Sequence, residues 1–237
     1  MNLFAVTATD FNIMLKSLSL RVRVMPALLL CLLASAVAAV EPCAPFENGR
    51  VEAGLITAMR KAASEGRMYR VDASNSRVGF CVRHFPFQEF RGEFRNLVGG
   101  LALPPDPGQY GHALLLIHSA SLISEDSNLV PLVIGRSFID AEHYPEILFV
   151  GRRFVWLDDR QARVYGELTL RGKTQPVVFD VEIERGAGET PEARRRIRMR
   201  GSTQVNRFQF DMNSYQYFVS EQVKLCLAVE LVLWDNE

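Results

Sequence analysis

The stretch VYGELTLRGKTQPVVFDVEI, Val164 to Ile183, decides the fold. Val164, Gly166, Leu168 and Leu170 alternate with Tyr165, Glu167, Thr169 and Arg171. After Arg171-Gly172-Lys173-Thr174 a second alternation begins, with Val177, Phe179, Val181 and Ile183 set against Val178, Asp180, Glu182 and Glu184. Period-two patterning on either side of a short glycine-containing turn predicts an antiparallel hairpin. A lone hairpin cannot hide its apolar face, so further strands must cover it.

Working outward, Arg185 to Arg194 is polar and reads as a solvated hairpin loop, followed by strands over Ile197 to Val205 and Gln222 to Trp234. The last strand carries Val223, Leu225, Leu227, Val229 and Leu231 on one face. Upstream, Glu146 to Val150 and Phe154 to Leu157 read as strands, with Asp158-Asp159 turning into the central hairpin. Ala113 to Ser121 is strand-like and apolar on both faces. Ser124 to Gly135 reads as a short helical insertion, and Gly135 to Pro145 as an irregular crossing. Phe90 to Leu103 is extended, with Phe90, Gly92 and Phe94 sharing a face, and Pro104 to Gly108 breaks the chain. Tyr69 to Asp72 and Ser76 to Phe85 read as strands around a turn at Ala73-Ser74-Asn75, with Val78, Phe80, Val82 and His84 on one face. About eight strands with one helical insertion predict an all-β fold, a single closed eight-stranded antiparallel barrel over residues 67–237, which leaves no free sheet edge.

Before the barrel, residues 40–66 form an extension. Glu41 to Asn48 is proline-rich, and Arg50 to Gly66 predicts an amphipathic helix with Val51, Leu55, Met59, Ala62 and Ala63 on one stripe. That helix either caps the barrel or packs outside it, the second being expected. Residues 1–39 read as a cleaved signal peptide. Lys16, Arg21 and Arg23 precede the apolar Met25 to Leu33, and small residues follow, with cleavage after Ala38 or Ala39. The basic region lies far from Met1, so Met14 is an alternative start. Cys31 follows Leu30 rather than a small residue, which argues against lipidation. The expectation is export to a periplasmic compartment.

The 237 residues, 48% hydrophobic and 23% charged, have the composition of one globular domain with a substantial core. Cleavage would remove three basic and one acidic side chain from 27 of each, leaving 24 against 26. That balance supplies no electrostatic pull toward nucleic acid or an anionic membrane. Export would leave Cys43, Cys81 and Cys226 in an oxidising compartment. Cys81–Cys226 is geometrically allowed if the first and last strands are neighbours. Cys43 with either partner, or three free thiols, are the competing arrangements.

Catalytic patterns are missing: there is no nucleophile elbow, no phosphate-cradling glycine loop and no paired-cysteine zinc spacing. His84, His112, His118 and His143 are scattered without ligand spacing. His84 alone continues an apolar strand face toward a strand end, and an enzymatic reading would have to start there. A non-enzymatic protein is expected. What the chain offers is bulky apolar and aromatic side chains at alternate positions, with 15 Phe in the whole chain. An eight-stranded barrel either fills its interior with these or encloses one small apolar ligand. The spacing leaves both open.

Several pieces, in order, carry a resemblance. They are Tyr69-Arg70-Val71-Asp72, Ser76 to His84, Arg91-Gly92-Glu93-Phe94, Phe138 to Phe149, Gly166 to Val177, Asn206 to Met212 and Val223-Lys224-Leu225. Together they resemble the YceI-like family, exported lipocalin-like barrels that bind polyisoprenoid lipids. Asp211 stands where that family carries glycine, Val130 to Arg136 is more apolar than its helix, and residues 41–66 and the cysteines are additions. The resemblance implies a carrier or store for an isoprenoid quinone or polyprenyl chain. It implies a lining drawn from Phe80, Val82, Phe94, Leu115, Ile117, Phe149, Leu168, Leu170, Phe179, Leu225 and Leu227, with His84 and Arg136 as candidates for the polar end. Partners compatible with this are the apolar lipid itself, a transient membrane or membrane-protein contact, and a second copy of the chain. The alternative is a filled barrel that serves as a non-enzymatic interaction module for a membrane redox or envelope system.

Overall fold

Alternating β-branched and aromatic residues, interrupted by short polar turns, give strands whose apolar faces can be hidden only by closing the sheet. The computed structural model describes residues 51, 53–65, 67–103, 111–185 and 195–234. The signal-peptide region with Met14 and Cys31, the lead-in with Cys43, Gly66, the Pro104–Gly108 break and most of the Arg185–Arg194 loop lie outside the described residues.

In chain order the elements are α1 (Ala53–Ser64), β1 (Met68–His84), β2 (Gln88–Phe94), β3 (Leu97–Ala102), β4 (His112–His118), β5 (Leu122–Ile123), α2 (Val130–Ile134), β6 (Glu146–Trp156), β7 (Gln161–Leu170), β8 (Lys173–Arg185), β9 (Arg196–Asn206) and β10 (Val219–Leu233). The sheet runs β10-β9-β8-β7-β6-β4-β3-β1, and β1 pairs back onto β10. All pairings are antiparallel. The long β1 pairs with β3 through Met68–Arg70 and with β2 through Val78–His84, so β2 and β3 occupy one barrel position, interrupted at Arg95-Asn96. The short β5 extends beside β2. Ten segments thus make the expected eight-stranded closed barrel.

The central hairpin closes through Leu170 opposite Lys173, with Val164 opposite Phe179 and Gly166 opposite Val177. Its turn is two residues long, Arg171 at φ 51° and Gly172 at φ 68°. Two successive left-handed residues twist the turn in the sense of the strands it joins.

Two predicted breaks are bulges instead. Ala73-Ser74-Asn75 was expected to be a turn between strands, yet β1 runs through it and shifts register against β10 between Asp72 and Arg77. The Ser76 hydroxyl donates to the Asp72 carbonyl at 2.7 Å and accepts from the Glu230 N–H at 3.0 Å. The Asp72 carboxylate accepts from the Ser74 N–H at 3.2 Å and from the Asn75 amide at 2.9 Å. A bulge thus uses turn-forming residues while the strand continues. Likewise, the separate strands expected at Glu146–Val150 and Phe154–Leu157 are one strand, β6, with a register shift between Gly151 and Arg153.

Helix α1 buries Leu55, Met59 and Ala62 against Ala102, Leu148 and Val150, with Met68, Leu114 and Leu116 alongside. Those strand residues alternate with inward ones such as Leu101, Leu115 and Phe149, so the helix packs on the outer wall, as expected. Inside, Leu101, Phe154, Ala162, Val164, Val181, Ile183, Ile197, Met199 and Leu231 are buried. They fill the half of the barrel where β1 begins.

Candidate functional site

The other half is not filled. Val78, Phe80 and Val82 on β1, Leu115 on β4, Leu170 on β7, and Leu225 and Leu227 on β10 point inward, yet each is only half-buried. The space between them is a cavity of about 240 Å³, walled further by Phe90, Phe94, Ile117, Ile147, Phe149, Leu168, Phe179, Val205 and Val223. Aromatic rings shape it: Phe80 lies 5.8 Å from Phe90 and 6.1 Å from Phe94 between centroids, and Phe149 meets Phe179 edge-on at 5.2 Å. Two glycines let these rings lie against the wall. A Cβ on Gly92 would stand 2.8 Å from the Phe80 ring, and one on Gly166 2.8 Å from the Phe149 ring.

The mouth is built by three segments. Leu129, Val133 and Phe138 come from the helical insertion and crossing, His84 and Phe85 from the end of β1, and Met212, Tyr215 and Phe218 from the loop before β10. The central hairpin positions the first of these. The Arg171 guanidinium donates to the Phe138 carbonyl at 2.6 Å and to the Arg136 carbonyl at 3.1 Å. Gln175 donates from its amide to the Gln209 carbonyl at 3.1 Å, tying β8 to the turn after β9.

Arg207 organises the last segment from inside and also borders the cavity. It is 1% exposed. Its guanidinium donates to the carbonyls of Ser220 at 3.0 Å, Ser214 at 2.8 Å, Val219 at 3.1 Å and Met212. The group also lies 4.7 Å from the Phe208 ring centroid. Burial pulls its pKa below the ordinary arginine value, weakly opposed by Glu221. Carbonyl dipoles replace its hydration shell, so the cation serves the loop that rims the mouth. Asp211 has φ 59°. Aspartate tolerates this left-handed backbone better than most side chains, and its carboxylate pairs with Lys173 Nζ at 3.0 Å.

All of the predicted inward set lines the cavity: Phe80, Val82, Phe94, Leu115, Ile117, Phe149, Leu168, Leu170, Phe179, Leu225 and Leu227, together with His84. His84 sits at the rim, its Nδ1 3.2 Å from the Phe85 carbonyl oxygen. Arg136 is a correction. Gly135, extended at ψ 177°, turns the chain after α2, and the Arg136 side chain is 76% exposed, 3.9 Å from Glu142, outside the cavity. Arg207 was missed as a site residue. Its signal was an arginine among aromatics in Asn206 to Phe210, legible as a motif but not as a buried cation.

Cys81 and Cys226 are free, half-buried thiols at positions that alternate with the inward Val82, Leu225 and Leu227. Cys226 stands opposite Gly79 and Cys81 opposite Lys224, which makes them diagonal neighbours on adjoining strands. Burial, then Glu89 and Cys226, raise the Cys81 pKa, so its thiol stays protonated. Burial and then Arg152 lower the His112 pKa, which keeps that imidazole neutral. His118 is exposed, and His143 Nδ1 lies 2.8 Å from the Asp140 carboxylate on the crossing segment. Among the described residues no group of His, Cys, Asp and Glu could hold a metal ion.

Comparison with known proteins places this architecture. A UPF0312 protein of Vibrio cholerae is 26% identical over 145 residues, covering 60% of this chain and 76% of that protein. The crystal structure of Burkholderia cenocepacia BcnA superposes with a TM-score of 0.59 at 21% identity, over 68% of this chain and 98% of the other. A polyisoprenoid binding domain from Saccharophagus degradans, implicated in plant cell wall breakdown, gives 0.56 at 14% identity, over 70% and 98%. These structural likenesses establish a shared fold. The family model of the YceI-like domain matches residues 69–231, from the start of β1 almost to the end of β10, and the chain belongs to the YceI-like family.

Proposed function

We propose that this protein binds one isoprenoid lipid by its apolar tail inside the barrel and acts as a carrier or store for it in the cell envelope, without catalysing a reaction. The observation that carries this reading is the half-buried inward face of β1 and β10 around a cavity of about 240 Å³. That volume lies just under the roughly 300–1,000 Å³ usual for small-molecule sites, which suits a slender chain better than a fused-ring body. Side chains along the wall are aliphatic and aromatic, while His84, Tyr215 and Arg207 gather at the mouth. An isoprenoid would therefore enter tail first and keep its head near the rim. About ten buried methylene equivalents gain about 8 kcal/mol, against an association cost of at least about 4 kcal/mol. Affinity then follows tail length more than head group. The Saccharophagus degradans domain of the same fold is described as polyisoprenoid binding, which supports the ligand class. The N-terminal pattern of residues 1–39 supports export to the periplasm.

The test is organic extraction of protein purified from the periplasm, with mass spectrometry of the extract and N-terminal sequencing of the chain. A stoichiometric isoprenoid, on a chain beginning at Ala39 or Val40, is expected. An empty extract, with no uptake of added ubiquinone or polyprenol, would overturn the binding reading and favour an interaction module.

A further inference from the structure

Exposed aromatic side chains cluster at one end of the barrel. Phe85 is 68% exposed, Phe87 101%, Tyr215 49%, Tyr217 86% and Phe218 58%. They come from two loops that are fastened together. The Phe85 N–H donates to the Phe218 carbonyl at 2.7 Å, and the Phe218 N–H to the Tyr215 carbonyl at 3.0 Å. The Phe85 and Phe218 rings meet edge-on at 6.3 Å, and Tyr215 stacks on Phe138 at 5.8 Å. Phe85, Tyr215 and Phe218 also line the cavity, whereas Phe87 and Tyr217 do not. The cluster therefore borders the opening along two of its three segments, with Phe87 and Tyr217 standing proud of it.

At Phe87 an unusual backbone conformation and full exposure coincide. It holds φ 134°, a backbone region that favours glycine, while its ring is fully exposed. Contiguous exposed apolar groups of this kind mark an interaction surface. Phe and Tyr projecting from loops suit the boundary between lipid head groups and acyl chains, where an apolar ring is buried and a hydroxyl stays wet.

From this we infer that the aromatic rim is a docking face for the surface of a lipid bilayer, set so that the cavity mouth opens onto the membrane from which its ligand is taken. The inference rests on the isoprenoid-binding reading for its purpose, but not for its test. Arg83 and Glu221 flank the patch with one charge of each sign. Attachment is therefore carried by ring burial, and it does not require anionic lipid or low salt.

The experiment is co-sedimentation of the mature protein with vesicles of pure phosphatidylcholine, in about 0.1 M and about 1 M salt. Phe87→Gly and Phe87→Gly/Tyr217→Ser serve as the variants. Wild-type partitioning is expected at both salt concentrations. Phe87→Gly, which relieves the backbone, should fold at least as stably yet lose about tenfold in partitioning, the worth of one buried ring; the double variant should fall to background. No partitioning of the wild type, partitioning abolished by salt, or undiminished partitioning of the double variant would each overturn the inference. So would self-association of the wild type that the double variant loses without any vesicle binding, which assigns the face to a second copy. Uptake of a water-soluble short-chain ubiquinone is measured on the same samples. Uptake without docking sinks this inference alone, and docking without uptake sinks the cavity reading alone.

Discussion

Replacing Arg207 with methionine tests whether one buried cation holds the cavity mouth open. The substitution keeps most of the side-chain length and removes the donors to Met212, Ser214, Val219 and Ser220. Hydrogen bonds from a charged donor contribute about 1.5–3 kcal/mol each, so simple addition would give about 6–12 kcal/mol. Two effects cut this down. The guanidinium is buried among carbonyls rather than against a carboxylate, and losing it relieves a desolvation cost of several kcal/mol. Of the freed carbonyls, those of Ser214, Val219 and Ser220 belong to half-buried residues and can rehydrate, leaving the buried Met212 as the dry one. The expected loss is about 3 kcal/mol. It is measured by urea unfolding followed by far-ultraviolet circular dichroism, with the denaturant slope unchanged. Arg207→Lys should lose at least as much, because one ammonium nitrogen cannot serve carbonyls arrayed around a planar fork and is harder to desolvate. A loss below about 1 kcal/mol for Arg207→Met, or a near-native Arg207→Lys, would refute this reasoning.

Leu225→Trp projects an indole from opposite Phe80 into the open half of the barrel. It should take the place of about two methylenes of ligand and weaken isoprenoid uptake about tenfold while leaving the melting temperature unchanged or raised. A loss of about 1–3 kcal/mol, the usual effect of overpacking, would mean that the space is not there. Asp72 supplies a pH dependence: hydrogen bonds from Ser74 and Asn75 hold its carboxyl below the ordinary value of 3.8. Its contribution is complete above 3.8 and is lost as pH falls through the lower folded-state value. Melting temperatures taken from about pH 5 down to about pH 2.5 should therefore fall less steeply for Asp72→Asn than for the wild type, and identical acid limbs would contradict it.

Which residues of a strand share a face was legible in the sequence because period two is enforced wherever one face is buried. The hairpin from Val164 to Ile183 appears with the predicted faces, and its turn chemistry is local to Arg171 and Gly172. The bulges were not legible. Ala73-Ser74-Asn75 is a sound turn signal, and only the Ser76 link to Glu230, far along the chain in β10, makes it a bulge inside a strand. Arg136 fails as a site residue for a similar reason. Its direction depends on how the chain leaves α2, and Arg171, from another hairpin, fixes that segment.

The choice between a filled and a hollow barrel could not be read from alternation, because the same pattern serves both, and the structure has both. Toward the start of β1, inward positions face one another across a closed end: Ala162 and Val164 on β7, Val181 and Ile183 on β8, Ile197 and Met199 on β9, all buried. Toward the mouth, the inward residues of β1 and β10 are no smaller, since Phe80, Val82, Leu225 and Leu227 would fill an ordinary core. They remain half-buried because the segments above them hold the rim apart. Arg171 holds the crossing segment by its carbonyls, and Arg207 holds the loop before β10. A cavity in this fold is therefore a property of its mouth rather than of its lining. For the same reason, loss of the buried Arg207 should impair ligand uptake more than loss of any single aliphatic side chain in the wall.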